Sequence, residues 1–208
     1  MLFWIYKTIG NTVDSTSDFF RIEKNNIEPE KGKVLIAEPF LEGRYFKRSL
    51  VLLTECNKHG AVGLVLNKPI NLSVDEALIS VANFKGSVYV GGPVDPNHIY
   101  FLHTIPDLLP NSIHIFNGLY WGGDFEVLKN LIGQKRILPD QIRFFAGYAG
   151  WGAGQLNDEI NENSWLVSQL EVDEIMNCDN EKLWEKSLRK MGGRYKMWSN
   201  FPENPGMN

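Results

Sequence analysis

The chain reads as an α+β protein built on a mixed β-sheet, and three observations predict it. Short apolar runs rich in β-branched residues recur from residue 34 onward, several of them closed by Gly, Pro or Asn. Two segments with helix-capping spacing and an apolar stripe interrupt those runs. The resulting order of strands, helix, strands, helix, strand and helices lacks the regular βαβ alternation of a doubly wound sheet.

The first strong element is Val34-Leu35-Ile36-Ala37, a strand that Pro39 stops. Leu50-Val51-Leu52-Leu53-Thr54 and Ala61-Val62-Gly63-Leu64-Val65-Leu66 follow. The polar stretch 55–60 joins them, which reads as a hairpin. Asn67-Lys68-Pro69 ends the second run, because proline has no N–H for the ladder.

Ser73 and Glu76 have capping-box spacing ahead of Ala77, Leu78, Val81 and Ala82, predicting a helix of two to three turns. Strands are expected at 87–90, stopped by Gly91-Gly92-Pro93, and at 99–102, 113–116 and 142–146. Asp124 can cap a helix carrying Val127, Leu128, Leu131 and Ile132, with Gly133 at its end. Two short helices are expected around Asp173-Glu174 and over 181–191, followed by a polar tail.

At 208 residues the chain is long enough to bury a full core without a disulfide or cofactor. It carries 21 Lys and Arg against 25 Asp and Glu, a net charge of −4 that gives no general attraction to phosphate backbones. Direct nucleic-acid binding is therefore not expected. Cys56 and Cys178 match no metal-ligand spacing and read as reduced thiols, with a disulfide between them left open. The apolar start, Met1-Leu2-Phe3-Trp4-Ile5-Tyr6, is too short for a signal-peptide core, and no stretch reaches transmembrane length. Cytoplasmic residence follows as an expectation. Residues 1–17 read as an extension, and 18–208 as a single domain.

His98 and His103 are five apart in strand or loop context rather than at the i,i+4 spacing of a helical metal pair, and His59 and His114 stand alone. No catalytic residue, metal site or cofactor is assigned. Glycines at 147, 150, 152 and 154, with Tyr148 and Trp151 between them, form a turn-prone segment whose amides also suit an anion nest. The segment lacks the full dinucleotide fingerprint and the phosphate-loop Lys, so a structural turn is the simpler reading. A cleft near 91–93 and 147–154, binding a small molecule or hosting a reaction, is the alternative.

Several of these stretches, taken in order, carry a family resemblance. They are Gly32-Lys33-Val34-Leu35-Ile36-Ala37-Glu38-Pro39, Gly60-Ala61-Val62-Gly63-Leu64-Val65-Leu66-Asn67-Lys68-Pro69, Val90-Gly91-Gly92-Pro93-Val94 and Phe145-Ala146-Gly147-Tyr148-Ala149-Gly150-Trp151-Gly152-Ala153-Gly154-Gln155-Leu156. With Glu159-Ile160 and Trp165-Leu166-Val167 they resemble the YqgE/AlgH family, bacterial proteins described as uncharacterised or as transcriptional regulators. The tail from Met191 is similar to that of Bacteroidetes members. The resemblance implies a curved, barrel-like sheet system with flanking helices and no established reaction. It also implies a pocket or motif surface at Asn67, Gly91, Gly92, Pro93, Tyr148, Gly150, Trp151, Gly154 and Gln155. The regulator label has no independent support here, since no helix-turn-helix pair stands out.

Charge is segregated near the C-terminus. Asp158, Glu159, Glu162, Glu171, Asp173, Glu174, Asp179 and Glu181 run without a Lys or Arg, and Lys182, Lys186, Arg189, Lys190, Arg194 and Lys196 follow against Glu185 alone. Glu171, Asp173, Glu174, Arg189, Lys190, Arg194 and Lys196 thereby form a candidate surface for a protein partner or a second copy. The leading functional expectation is a non-enzymatic binding or regulatory-accessory protein acting through protein contacts.

Overall fold

The computed structural model describes residues 23–78, 81, 84–177 and 182–202. The expected extension at 1–17, Ala82 of the first helix stripe, Cys178, and Asp179 and Glu181 of the acidic run lie outside them. The fold is α+β, as the element order predicts. Ten strands form one sheet: β1 (Val34–Ala37), β2 (Leu50–Asn57), β3 (Gly60–Val65), β4 (Pro69–Ser73), β5 (Ser87–Val90), β6 (Val94–His103), β7 (Ile113–Phe116), β8 (Leu119–Trp121), β9 (Ile142–Gly152) and β10 (Trp165–Ser168). Among the described residues six α-helices flank it: α1 (Val74–Ala77), α2 (Phe125–Gly133), α3 (Gln155–Asn161), α4 (Val172–Met176), α5 (Leu183–Met191) and α6 (Gly193–Trp198).

The main path runs β10-β1-β2-β3-β9-β6-β8-β7 and does not return on itself, so the sheet is curved but open rather than a closed barrel. Its curl packs Ile115 and Leu119 of the β7–β8 hairpin into the same cluster as Val34, Ile36, Leu50 and Leu52. Pairing is antiparallel except between β5 and β9, which run parallel.

The near-continuous apolar runs of β1 to β3 have a physical reason: both faces of that part of the sheet are covered. Val34, Ile36, Leu50, Leu52, Leu64 and Leu66 pack with Trp184, Leu188 and Trp198 from α5 and α6. The alternate residues Leu35, Ala37, Val51, Leu53 and Val65 pack with Leu156 and Ile160 of α3 and with Trp165. A third cluster places Leu128, Leu131 and Ile132 of α2 against Val88, Phe101 and Phe144. Each such aliphatic residue taken fully out of water stabilises the fold by roughly 1.5–3 kcal/mol.

Several expectations change in detail. The hairpin turn is only Lys58 and His59, because Glu55 to Asn57 continue β2 past a bulge at Leu53/Glu55. Pro69 both follows one strand and starts the next, a position where its missing N–H is tolerated. The helix expected after Ser73 is a single turn, although Ser73 N donates to Glu76 Oε2 at 2.8 Å as the capping box requires. Leu78 leaves the helical region there (φ −123°, ψ 86°), and Val81 is buried. Asp124 caps α2 as expected, its Oδ1 accepting from Glu126 N and Val127 N.

The largest change concerns the glycine-rich segment. Residues 147–152 are not a loop but the second half of β9, an eleven-residue strand. Only Ala153 and Gly154 make the turn into α3, with Gly154 in the left-handed region at φ 80°.

Candidate functional site

Strand β9 changes neighbours halfway along one flank. Phe144 to Ala146 pair with β5, whereas Ala149 to Gly152 pair with β3. On its other flank it keeps a single partner, β6. The result is a fork, and Gly91 sits in its crotch. Gly91 N donates to Ala146 O at 2.8 Å and Gly91 O accepts from Val65 N at 2.8 Å, so one residue carries the hydrogen-bonding from β9 across to β3.

Space at the fork admits no side chain. A Cβ on Gly91 would lie 2.0 Å from Gly147 O, and one on Gly92 would lie 2.2 Å from the Tyr148 carbonyl. Gly147 itself has φ 69° and would meet Val94 O at 2.6 Å. The two glycine segments singled out in the sequence are thus pressed backbone to backbone.

Beside this junction lies a cavity of about 130 Å³. Val90, Gly92 and Ala146 come from the fork, Pro96 from β6, Lys68 from the β3–β4 connection, and Arg44 and Tyr45 from the loop after β1. That loop is pinned by Asn67. Asn67 is buried, its Oδ1 accepts from Leu50 N at 2.9 Å, and its Nδ2 donates to Arg48 O at 2.9 Å. Asn67 therefore fixes the far end of that loop, at Arg48, next to Lys68 of the cavity wall.

The bulge between Val94 and Ile99 of β6 carries a cluster that sequence spacing did not single out. His98 Nδ1 lies 2.6 Å from Asp95 Oδ1, and Tyr100 Oη donates to Asp95 Oδ2 at 3.0 Å. These bonds, that of His98 first, hold the Asp95 carboxyl below its usual range. Burial and then Asp95 push Tyr100 up to about 12. Tyr148 meets Tyr100 edge-on at 5.5 Å. Asp95 has φ 50°, so the contacts secure a strained turn. The signal available in the sequence was the Asp95-x-x-His98 spacing, which is too common to stand out.

The remaining glycine-segment residues belong to a second centre. Trp151 lies five residues beyond Ala146, roughly 15 Å along the strand. Trp151 Nε1 and Trp165 Nε1 both donate to Glu159 Oε2, at 2.9 and 2.8 Å. Gln155 completes it: Oε1 accepts from Gly152 N and Nε2 donates to Glu159 Oε1, each at 3.0 Å. A Cβ on Gly150 would come no closer than 3.4 Å to its nearest neighbour, the Tyr148 ring, and one on Gly154 would meet nothing within 4 Å. Of the expected surface, Gly91, Gly92, Pro93 and Tyr148 gather at the fork, Asn67 stands behind it, and Gly150, Trp151, Gly154 and Gln155 do not reach it.

One pair among the described residues, Glu174 and Lys190, joins the two segregated runs within the chain. Lys190 Nζ lies 2.8 and 3.0 Å from the two oxygens of Glu174, Arg194 pairs with Glu23, and Arg189 lies 3.6 Å from Glu185. Asp173 accepts from Asn177 Nδ2, and Glu171 N donates to Glu174. Lys196 is exposed on α6.

His103 is buried and its ring is committed to main-chain groups of Gly122 and Ile105. His114 is exposed on β7, between the exposed Ile113 and the buried Ile115. Cys56 is a half-buried free thiol that donates to Pro29 O at 3.5 Å. Among the described residues no three His, Cys, Asp or Glu side chains gather to hold a metal ion, and no helix is long and apolar enough to cross a membrane.

An open, curled α+β sheet with a small cleft at a strand fork is the class this geometry defines. Residues 34–196 match the AlgH-like family, and the chain belongs to it. It is 42% identical over 196 residues to the UPF0301 protein of Parabacteroides distasonis, covering 93% of this chain and 99% of that one. It is likewise 42% identical over 179 residues to the UPF0301 protein of Cytophaga hutchinsonii, covering 86% and 98%. These names state no reaction, and no specific molecular function comes with them. Among solved structures, protein DIP2367 from Corynebacterium diphtheriae superposes with a TM-score of 0.71 at 24% identity, over 88% of this chain and 97% of that one. The AlgH protein from Pseudomonas aeruginosa does so at 0.65 and 24%, over 86% and 98%. At that identity the likeness concerns the fold.

Proposed function

We propose that this chain is a non-enzymatic binding protein that recognises a small ligand at the fork of β9. The observation that carries the reading is the packing of Gly91 and Gly92 against Gly147 and Tyr148 beside a cavity walled by three other parts of the chain. Binding sites favour concave places where backbone and side chains from separate segments of the chain converge. The walls supply a guanidinium, a phenol and an ammonium, groups suited to holding a ligand.

The C-terminal charges support a second reading, protein contact, less directly, because Lys190 already pairs with Glu174 and Arg194 with Glu23. A regulatory role would then be exercised through the ligand-bound state of the fork.

The test is a fragment titration followed by amide NMR shifts, with Ala146→Leu as the control that fills the cavity. Saturable shifts confined to residues 90–92 and 146, and abolished by the substitution in a protein that melts normally, support the reading. Shifts scattered over the surface, or none with any fragment, sink it.

A further inference from the structure

The volume and the walls of the cavity narrow the ligand class. A cavity of about 130 Å³ holds several waters but is well below the roughly 300–1,000 Å³ of sites that enclose a whole drug-sized molecule. It therefore encloses one end of a ligand and leaves the rest outside.

The charged side chains on its walls are Arg44 and Lys68, and the lining residues include no carboxylate. They approach from different segments, Arg44 from the exposed loop after β1 and Lys68, half-buried, from the connection between β3 and β4. A planar guanidinium offers paired N–H groups to an oxyanion, and an ammonium adds a second positive charge. Tyr45, in the same loop, brings a phenol that can donate to an oxygen. In a site partly screened from water such charge-assisted bonds are the strong ones.

We infer that the fork cleft is an oxyanion subsite, in which Arg44 and Lys68 hold the carboxylate or phosphate end of a small metabolite while its remainder lies along the outer rim. This rests on the binding role proposed for the fork and adds the charge class of the ligand. Neither glycine segment needs to act as a phosphate loop, because the two cations are the recognition groups and the glycines only let the strands close behind them.

The experiment compares inorganic phosphate, acetate and the neutral isostere acetamide by amide NMR titration at fixed ionic strength. Phosphate, acetate or both should shift residues 90–92 and 146 saturably, and the stronger of the two identifies the oxyanion. Affinity should fall tenfold or more in Arg44→Gln/Lys68→Gln and be largely retained in Arg44→Lys, which keeps the charge. Thermal melts of the variants check that the fold is intact.

Acetamide binding as tightly as the anions, or anion shifts that persist in the double glutamine variant, would overturn the oxyanion assignment. If neutral fragments occupy the fork while both anions leave it untouched, the cleft stands and the charge class falls. Silence from all probes removes both.

Discussion

The indole N–H groups of Trp151 and Trp165 converge on one carboxylate oxygen, Glu159 Oε2, at 2.9 and 2.8 Å. Trp151 is at the end of the longest strand, Trp165 begins the strand at the sheet edge, and Glu159 lies on the helix between them. The two rings meet edge to face at 6.1 Å. One acidic residue therefore ties the end of β9 to β10 through α3.

Replacing Glu159 with Ala strands both indole donors, of which Trp165 is almost wholly buried. The expected loss is about 2–4 kcal/mol, since hydrogen bonds to a charged group contribute roughly 1.5–3 kcal/mol each and are not additive. Glu159→Gln should cost less, about 1 kcal/mol, because an amide oxygen still accepts. Urea unfolding followed by tryptophan fluorescence measures both.

The glycines separate into two kinds by substitution. Gly91→Ala brings a methyl within 2.0 Å of Gly147 O, and either backbone must move, costing about 3 kcal/mol or more. Gly150→Ala meets nothing closer than 3.4 Å and should change stability by less than about 1 kcal/mol, in the favourable direction. Gly154→Ala has open space but a φ of 80°, so backbone strain alone sets a cost of about 1–2 kcal/mol. Equal melting temperatures for the three variants would contradict the geometry.

Arg143 is 5% exposed in the middle of the fold. Its guanidinium donates to Leu66 O at 2.7 Å and to Ile175 O, and it lies 4.0 Å over the Tyr89 ring. Arg143→Met fills similar space but leaves two carbonyls without this donor, with an expected loss of about 2–4 kcal/mol. Because Ile175 belongs to α4, amide exchange over Val172–Met176 should accelerate more than exchange in β9.

His103 supplies a pH dependence. Its Nδ1 accepts from Ile105 N at 3.2 Å, so the ring proton sits on Nε2 and donates to Gly122 O at 3.1 Å. Burial pushes the imidazole from 6.5 down to about 4, outweighing the bond to Gly122. The unfolded chain then binds a proton that the folded chain refuses between those values, so this residue's contribution to stability is full above pH 6.5 and is lost as pH falls toward 4. Its ring resonances should stay those of neutral imidazole down to about pH 4. A titration midpoint near 6.5 would show the site is open to water.

The strands legible in the sequence were those with dense β-branched runs: β1, β5 and β7 have the boundaries their patterns predict. The β8 run of three residues and β4, which starts on a proline, were hidden because pairing rather than propensity defines them. Helix α2 was readable from Asp124 and its apolar spacing. Helix α3 was not, since it starts directly after Gly154 without a capping side chain to announce it. At the site, the two glycine segments were visible but their contact was not, because the turn and fork chemistry of glycine look alike along one chain. Arg44 and Tyr45 gave no signal, and Lys68 was visible only within the strand-ending Asn67-Lys68-Pro69, because the fold alone brings the three together.

One small contact has a wider consequence. Asn25 presents its side-chain amide to Val167, accepting from Val167 N at 3.0 Å and donating to Val167 O at 2.5 Å. Strand β10 ends the main path of the sheet, and Val167 is where a further strand would attach. A single amide imitates the pairing a neighbouring chain would offer and thereby occupies the place of an intruder. At this position the open edge of the sheet is closed by one uncharged side chain.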